Sequence, residues 1–266
     1  MMKKYLLHSL LSLGLCLLPA SVVAEQDAAM AEGLRIATER KVRDTGWGDT
    51  EVVMTMILRD ARGRESRREM RTLTLEVLDD GDKALTIFDE PRDVRGSAFL
   101  THTKTMVPDE QWLFLPAVNR VRRIVSRNKS GPFMGSEYAY EDLSSFELEK
   151  FSFTYLHDDE VHGELCYVVE QIPQDEYSGY SRMVVWIDKS HYRVQKIDYY
   201  DRRDSLLKTL TIHDYKLYKD EFWRADRMEM VNAQNQKSTT LLMTDIQFDR
   251  GFTDADFDNN ALQRAR

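Results

Sequence analysis

The chain has 266 residues, a formal net charge of −8, and 42% hydrophobic against 31% charged residues. That length suits one large β-sandwich or barrel, with a core that needs no disulfide or metal to hold it. The acidic balance, with no recurring basic face, excludes a nucleic-acid-binding protein.

Residues 1–24 read as a cleaved secretory signal. Lys3 and Lys4 form the basic start, Leu6 to Leu18 the apolar stretch, and Val22-Val23-Ala24 the small residues before a cut ahead of Glu25. The apolar run is short for a membrane span. Leu15, directly before Cys16, is too large for lipoprotein processing. The expected product is a soluble periplasmic chain, residues 25–266, forming a single domain. It keeps one cysteine, Cys166, which excludes an internal disulfide. Its apolar neighbours make Cys166 a buried, inert strand residue.

Residues 26–44 carry apolar side chains at helical spacing, among them Ala29, Met30, Leu34, Ile36, Ala37 and Val42, and Gly46 and Gly48 end the run. Nearly everything after this alternates as strand does. Strands are expected over 51–59, 67–78, 84–88, 97–105, 112–115 and 120–127. They resume over 150–156, 164–172, 181–188, 192–200, 206–217, 221–231 and 238–248. The breaks are short and rich in Asp, Gly, Ser and Asn, as at Asp80-Gly81 and Ser178-Gly179. Short loops force antiparallel neighbours, so the expectation is one mainly β, antiparallel sheet of about eleven strands, curled to bury its apolar face. A capping helix is expected near 253–262, carrying Phe257.

Residues 110–146 break the pattern. The heavy strand Trp112-Leu113-Phe114-Leu115 stops at Pro116. After the basic strand comes an irregular loop, 128–136, holding Phe133 and Met134 between Gly131-Pro132 and Gly135. Such bulk must cover something apolar, whether the protein's own core or a ligand. Two readings fit: a flap that moves aside for a ligand, or a static plug. A short helix is expected from about Tyr140 to Glu147.

Catalytic patterns are scarce. His102, His157, His162, His191 and His213 lack metal-ligand spacing, and there is no nucleophile elbow or phosphate loop. Glu137, Glu141 and Asp142 form an acid–base pair on one reading. On the other, Glu141-Asp142 caps a helix and neutralises Arg120, Arg122 or Arg123. No cofactor or metal is expected. The remaining signal is large adaptable apolar side chains. Met54, Met56, Trp112, Phe114, Phe133 and Met134 are the candidates for lining a hydrophobic cavity, with Met183, Trp186 and Met228 beside them.

Several segments resemble the periplasmic LolA-like family of outer-membrane lipoprotein-sorting proteins. They are Gly46-Trp47-Gly48-Asp49, Arg95-Gly96-Ser97, Gln111 to Pro116, and above all Pro132-Phe133-Met134-Gly135-Ser136-Glu137-Tyr138-Ala139-Tyr140-Glu141-Asp142-Leu143. Glu137 stands where the family often has Asp. The resemblance runs from about residue 26 to the end of the chain. It implies an incomplete antiparallel β-barrel with a helical lid, like LolA and LolB, and no enzymatic activity. It also implies work beside RND-type membrane exporters. Two functions follow as expectations: a carrier of lipid or lipoprotein acyl chains, or an exporter-associated accessory protein that binds a protein partner and no lipid.

Overall fold

The structure, a computed structural model, describes residues 20–264; the expected leader lies, apart from its last residues, outside them. Helix α1 (Ala20–Arg43) precedes a first meander of β1 (Asp49–Arg59), β2 (Glu65–Leu75), β3 (Lys83–Glu90), β4 (Ala98–His102), β5 (Glu110–Leu115) and β6 (Arg120–Ile124). The second meander comprises β7 (Phe151–Val161), β8 (Glu164–Pro173), β9 (Tyr180–Asp188), β10 (Val194–Asp201), β11 (Leu206–Tyr218), β12 (Phe222–Asn232) and β13 (Ser238–Phe248). A 3-10 turn (Asp254–Phe257) and helix α2 (Asn259–Arg264) close the chain.

All thirteen strands belong to one antiparallel sheet in the order β6-β5-β4-β3-β2-β1-β13-β12-β11-β10-β9-β8-β7. Thirteen replaces the expected eleven or so. Every pairing but one joins sequence neighbours. The exception is β1 with β13, from Thr50 opposite Phe248 to Arg59 opposite Ser238, and it welds the two meanders together. The pairing slips at Val53/Met54, and further slips occur at Tyr155/His157 and Tyr199/Tyr200. Such bulges increase local twist, which bends a sheet this wide into a trough. Side chains from both meanders meet in one interior cluster, from Phe88 and Phe99 through Met56 to Val185 and Leu210. The outermost strands β6 and β7 do not pair, so the barrel is incomplete.

Helix α1 fills the mouth on the β7 side. Its buried stripe is Gly33, Ile36 and Ala37. Gly33 is required there, because a Cβ would stand 2.7 Å from the Tyr155 backbone nitrogen and 2.8 Å from that of Thr154. Met30, Leu34 and Val42, which sequence spacing groups with the apolar face, are 43%, 49% and 63% exposed. The inward face is set by the close approach a glycine permits rather than by the largest side chains.

Residues 125–150 connect the two free edges and cross the trough as a strap. The helix expected over 140–147 is a single 3-10 turn, Tyr140–Leu143. The strap is tied down along its length. Gln111 Nε2 donates to the Tyr140 carbonyl at 2.9 Å, Ser145 N to Thr103 Oγ1 at 3.0 Å, and Lys41 Nζ to the Phe146 carbonyl at 3.0 Å. On the outer face of β3–β5 a second cluster, including Leu85, Leu100 and Phe114, is covered by Phe257 and Leu262 of the C-terminal segment. The expected capping element around Phe257 is therefore present, and β5 is covered on both faces.

Candidate functional site

Met54 and Met56 alternate inward from β1 and join the interior cluster, where Met56 is almost fully buried. Phe133 enters the same cluster from the strap. Its ring centroid is 5.1 Å from that of Phe99, and 5.8 Å from those of Phe88 and Tyr140. Tight backbone turns hold it there. Phe133 N donates to the Tyr138 carbonyl at 2.7 Å, and the Phe133 carbonyl accepts from Ser136 N and Oγ at 2.9 and 2.7 Å. Met134 takes a left-handed conformation (φ 49°), packs half-buried beside the cluster, and its carbonyl accepts from Arg68 at 2.5 Å. In this structure the loop has the geometry of a plug.

Trp112 and Phe114 are not with these four. Strand alternation turns Gln111, Leu113 and Leu115 inward, so Trp112 and Phe114 face the outer cluster under the C-terminal segment. Trp112 lies edge-on to His102, 5.2 Å between ring centroids, and His102 Nε2 donates to the Phe257 carbonyl at 2.7 Å. Burial lowers the His102 pKa, consistent with a neutral ring. The six candidate lining residues thus divide into an inner four and an outer two.

The acidic trio anchors the strap. Asp142 accepts from Ala139 N, from Tyr180 Oη at 2.7 Å and from Lys208 Nζ. Glu141 accepts from Ser178 Oγ and Gly179 N, and its burial raises its pKa. Glu137 accepts from Asn232 Nδ2 at 2.7 Å. Of the expected capping pair only Asp142 caps the turn, through Ala139 N, while Glu141 holds the Ser178-Gly179 turn instead; the cation that neutralises Asp142 is Lys208 of β11, and Arg123 pairs with Glu110. Among the described residues no group of three or more His, Cys, Asp or Glu is arranged to hold a metal ion.

A cavity of about 600 Å³ opens between the last turn of α1 and strands β10–β12. Its floor is apolar, with Val194, Ile212, Trp223, Ala225 and Met228, and its helix side carries Arg40 and Arg43. Sheet register continues the floor inward. Ile212 stands opposite Met228, Met228 opposite Leu241, Leu241 opposite Met56, and Met56 opposite Arg68. Opposed residues share a sheet face. One row of apolar side chains therefore runs from the cavity to the Arg68 that holds the plug. Sequence reasoning singled out Met228 and Met56 but missed Arg40, Ile212 and Trp223. The available signal was Arg40 lying one turn beyond Ile36 on the helix.

A curled, unclosed antiparallel sheet with a helix in its mouth and a strap across its trough is the LolA architecture. Over 88% of its length the chain matches all of a crystal structure described as an outer membrane lipoprotein-sorting protein domain from Vibrio parahaemolyticus, with 56% identity and TM-score 0.87. A DUF1329 family protein from Desulfovibrio piger matches over 88% of this chain and 99% of its own, with 27% identity and TM-score 0.83. A LolA superfamily protein from Nitrosomonas europaea shares the fold over 86% of this chain and 98% of its own, at 19% identity and TM-score 0.70. Residues 80–264 match a family described only as an uncharacterized protein, and no curated protein matches the sequence. The chain belongs to the LolA-like family of outer-membrane lipoprotein-sorting proteins.

Proposed function

We propose that the protein is a non-catalytic periplasmic carrier holding lipid or lipoprotein acyl chains inside the trough. Residues 1–24 direct export, and residues 25–266 act as one lipid-binding domain. The observation that carries this reading is the apolar row Ile212–Met228–Leu241–Met56, open at one end to the cavity and stopped at the other by the strap. Met54, Met56, Phe133 and Met134 wall the inner end. Trp112 and Phe114 support the fold from outside. The volume lies within the usual range for small-molecule sites. Each buried methylene contributes about 0.8 kcal/mol, enough over a long chain to offset the ordering cost of binding. The acids that chemistry would need are committed to holding the strap. Release of cargo to an RND-type exporter is part of the proposal.

A second reading, an exporter-associated protein that binds a partner and no lipid, is favoured by the exposed Met30, Leu34 and Val42 on the outer side of α1. Native mass spectrometry of gently purified protein separates the two. Co-purified lipid, released on denaturation, is the expected result. A bare chain that also takes up no fluorescent fatty-acyl probe leaves only the second reading.

A further inference from the structure

Four arginines surround the cavity, and three are paired. Arg43 Nε is 2.7 Å from Glu39, Arg193 Nε is 2.8 Å from Asp188, and Arg224 is 2.7 Å from Asp44. Arg40 differs. It follows Ile36 and Ala37 on the inward stripe of α1, and its guanidinium lies 4.0 Å from the centre of the Phe146 ring, near Tyr199 and Tyr215. Among the described residues it makes no hydrogen bond and no ion pair. Burial lowers its pKa, yet a guanidinium keeps its proton in any protein setting. Half-buried against a ring face, it keeps hydrogen-bond donors for an anion, and such a charge-assisted pair is a strong one. The nearby acids do not supply that anion: Asp44 is held by Arg224, and Asp220 and Glu221, which line the cavity from the β11–β12 turn, form no ion pair with Arg40. Val194, Ile212, Ala225 and Met228 line the same cavity as Arg40.

We infer that the cavity takes an amphiphile with an anionic head, a carboxylate or phosphate on an acyl chain, and that Arg40 pairs with the head while the chain follows Ile212 and Met228 inward. This rests on the carrier reading and names its ligand class. The chemistry is shared by a lipid head and a free small anion, and the chain-lined floor favours the lipid.

The test compares palmitate, methyl palmitate, acetate and inorganic phosphate as ligands of the purified full-length mature protein, by calorimetry at neutral pH. A hydrogen-bonded charge pair should favour palmitate over its ester by about tenfold to a hundredfold. Arg40→Met should bring that ratio close to one with ester binding unchanged, and Arg40→Lys should keep part of it. The Met variant should melt no lower than wild type, because it removes an unpaired charge. If it fails to fold, the wild-type ratio decides alone. Equal binding of acid and ester in wild type overturns the inference and leaves the carrier reading standing, whereas binding of neither overturns both. Acetate or phosphate binding as tightly as palmitate overturns the lipid head in favour of a free anion.

Discussion

Lys208 Nζ stands 2.5 Å from Asp142 Oδ2, with only 4% and 3% of the two side chains exposed. The lysine also donates to the Glu137 carbonyl at 2.9 Å, so one cation on β11 fixes two points of the strap. Neither charge has bulk water to fall back on. Replacing either partner alone, as in Lys208→Met or Asp142→Leu, should cost about 3–5 kcal/mol, because it strands the other. Lys208→Met with Asp142→Leu should recover a large part of that loss. Urea unfolding of the three variants measures the coupling. Additive losses would show that the pair does not act as a unit.

The sheet was legible because alternation recurs in thirteen strands, most of them joined by short polar turns, and each strand reports itself locally. What could not be read was which elements meet. The Lys208–Asp142 pair spans sixty-six positions, and nothing local in either stretch names the other. Trp112 shows a second kind of miss. Its weight marked the strand as heavy, but which face lies inside depends on the C-terminal segment far along the chain. The strap's weight in the fold was visible in its composition, while the left-handed backbone at Met134 that seats the loop was not.

Gly33 sits where helix propensity and packing disagree. Alanine at an exposed helix position would stabilise by about 1 kcal/mol relative to glycine. Here the new Cβ meets backbone atoms of Thr154 and Tyr155 below 3.0 Å, and backbone cannot swing aside. Gly33→Ala should therefore lower stability, by about 1–3 kcal/mol as in other overpacked sites. A melting temperature at or above wild type would mean that α1 does not rest on β7 so closely.

Phe133 and Met134 are neighbours with different expected costs. Phe133 is buried among three aromatic rings, so Phe133→Ala should lose about 3–5 kcal/mol. Met134 is only half-buried, and Met134→Ala should lose clearly less. Thermal melts alongside uptake of a fluorescent fatty-acyl probe check both. If Phe133→Ala melts like wild type while probe uptake changes, the loop behaves as a flap.

Asp82 offers a pH test. Burial raises its carboxyl pKa from 3.8 to about 6 in the folded state, with Glu147 and Glu76 adding to the rise and Lys41 opposing it. Between those two values the folded protein holds a proton that the unfolded chain has lost. Stability from this group is therefore complete below about pH 4, declines as pH rises through 6, and stays reduced above it. Asn keeps an oxygen to accept from Val77 N and has no charge to bury. Asp82→Asn should match wild type near pH 4 and exceed it at pH 7.5 by up to about 3 kcal/mol, from two units at 1.36 each. A difference independent of pH would show that Asp82 titrates as an ordinary carboxylate.

Two tryptophans report on the two faces of the sheet. Trp223 lines the cavity, its ring 4.8 Å from His191 and 4.6 Å from the Arg193 guanidinium. Trp112 lies on the outer face against His102. A ligand entering the trough displaces water near Trp223 and none near Trp112, so their emission should respond differently. With Trp47 and Trp186 replaced by Phe, two variants each keeping one of the remaining tryptophans make the comparison. The Trp223 variant should show a saturable blue shift or quench with palmitate, and the Trp112 variant a flat response. Trp112→Ala in the wild-type background should lower the melting temperature through the outer cluster while leaving palmitate affinity within about twofold, since a side chain outside the pocket adds no transfer energy to binding. A saturable Trp112 signal with a silent Trp223 would move the ligand to the outer face, beneath the C-terminal segment, and away from the row of Ile212, Met228 and Met56.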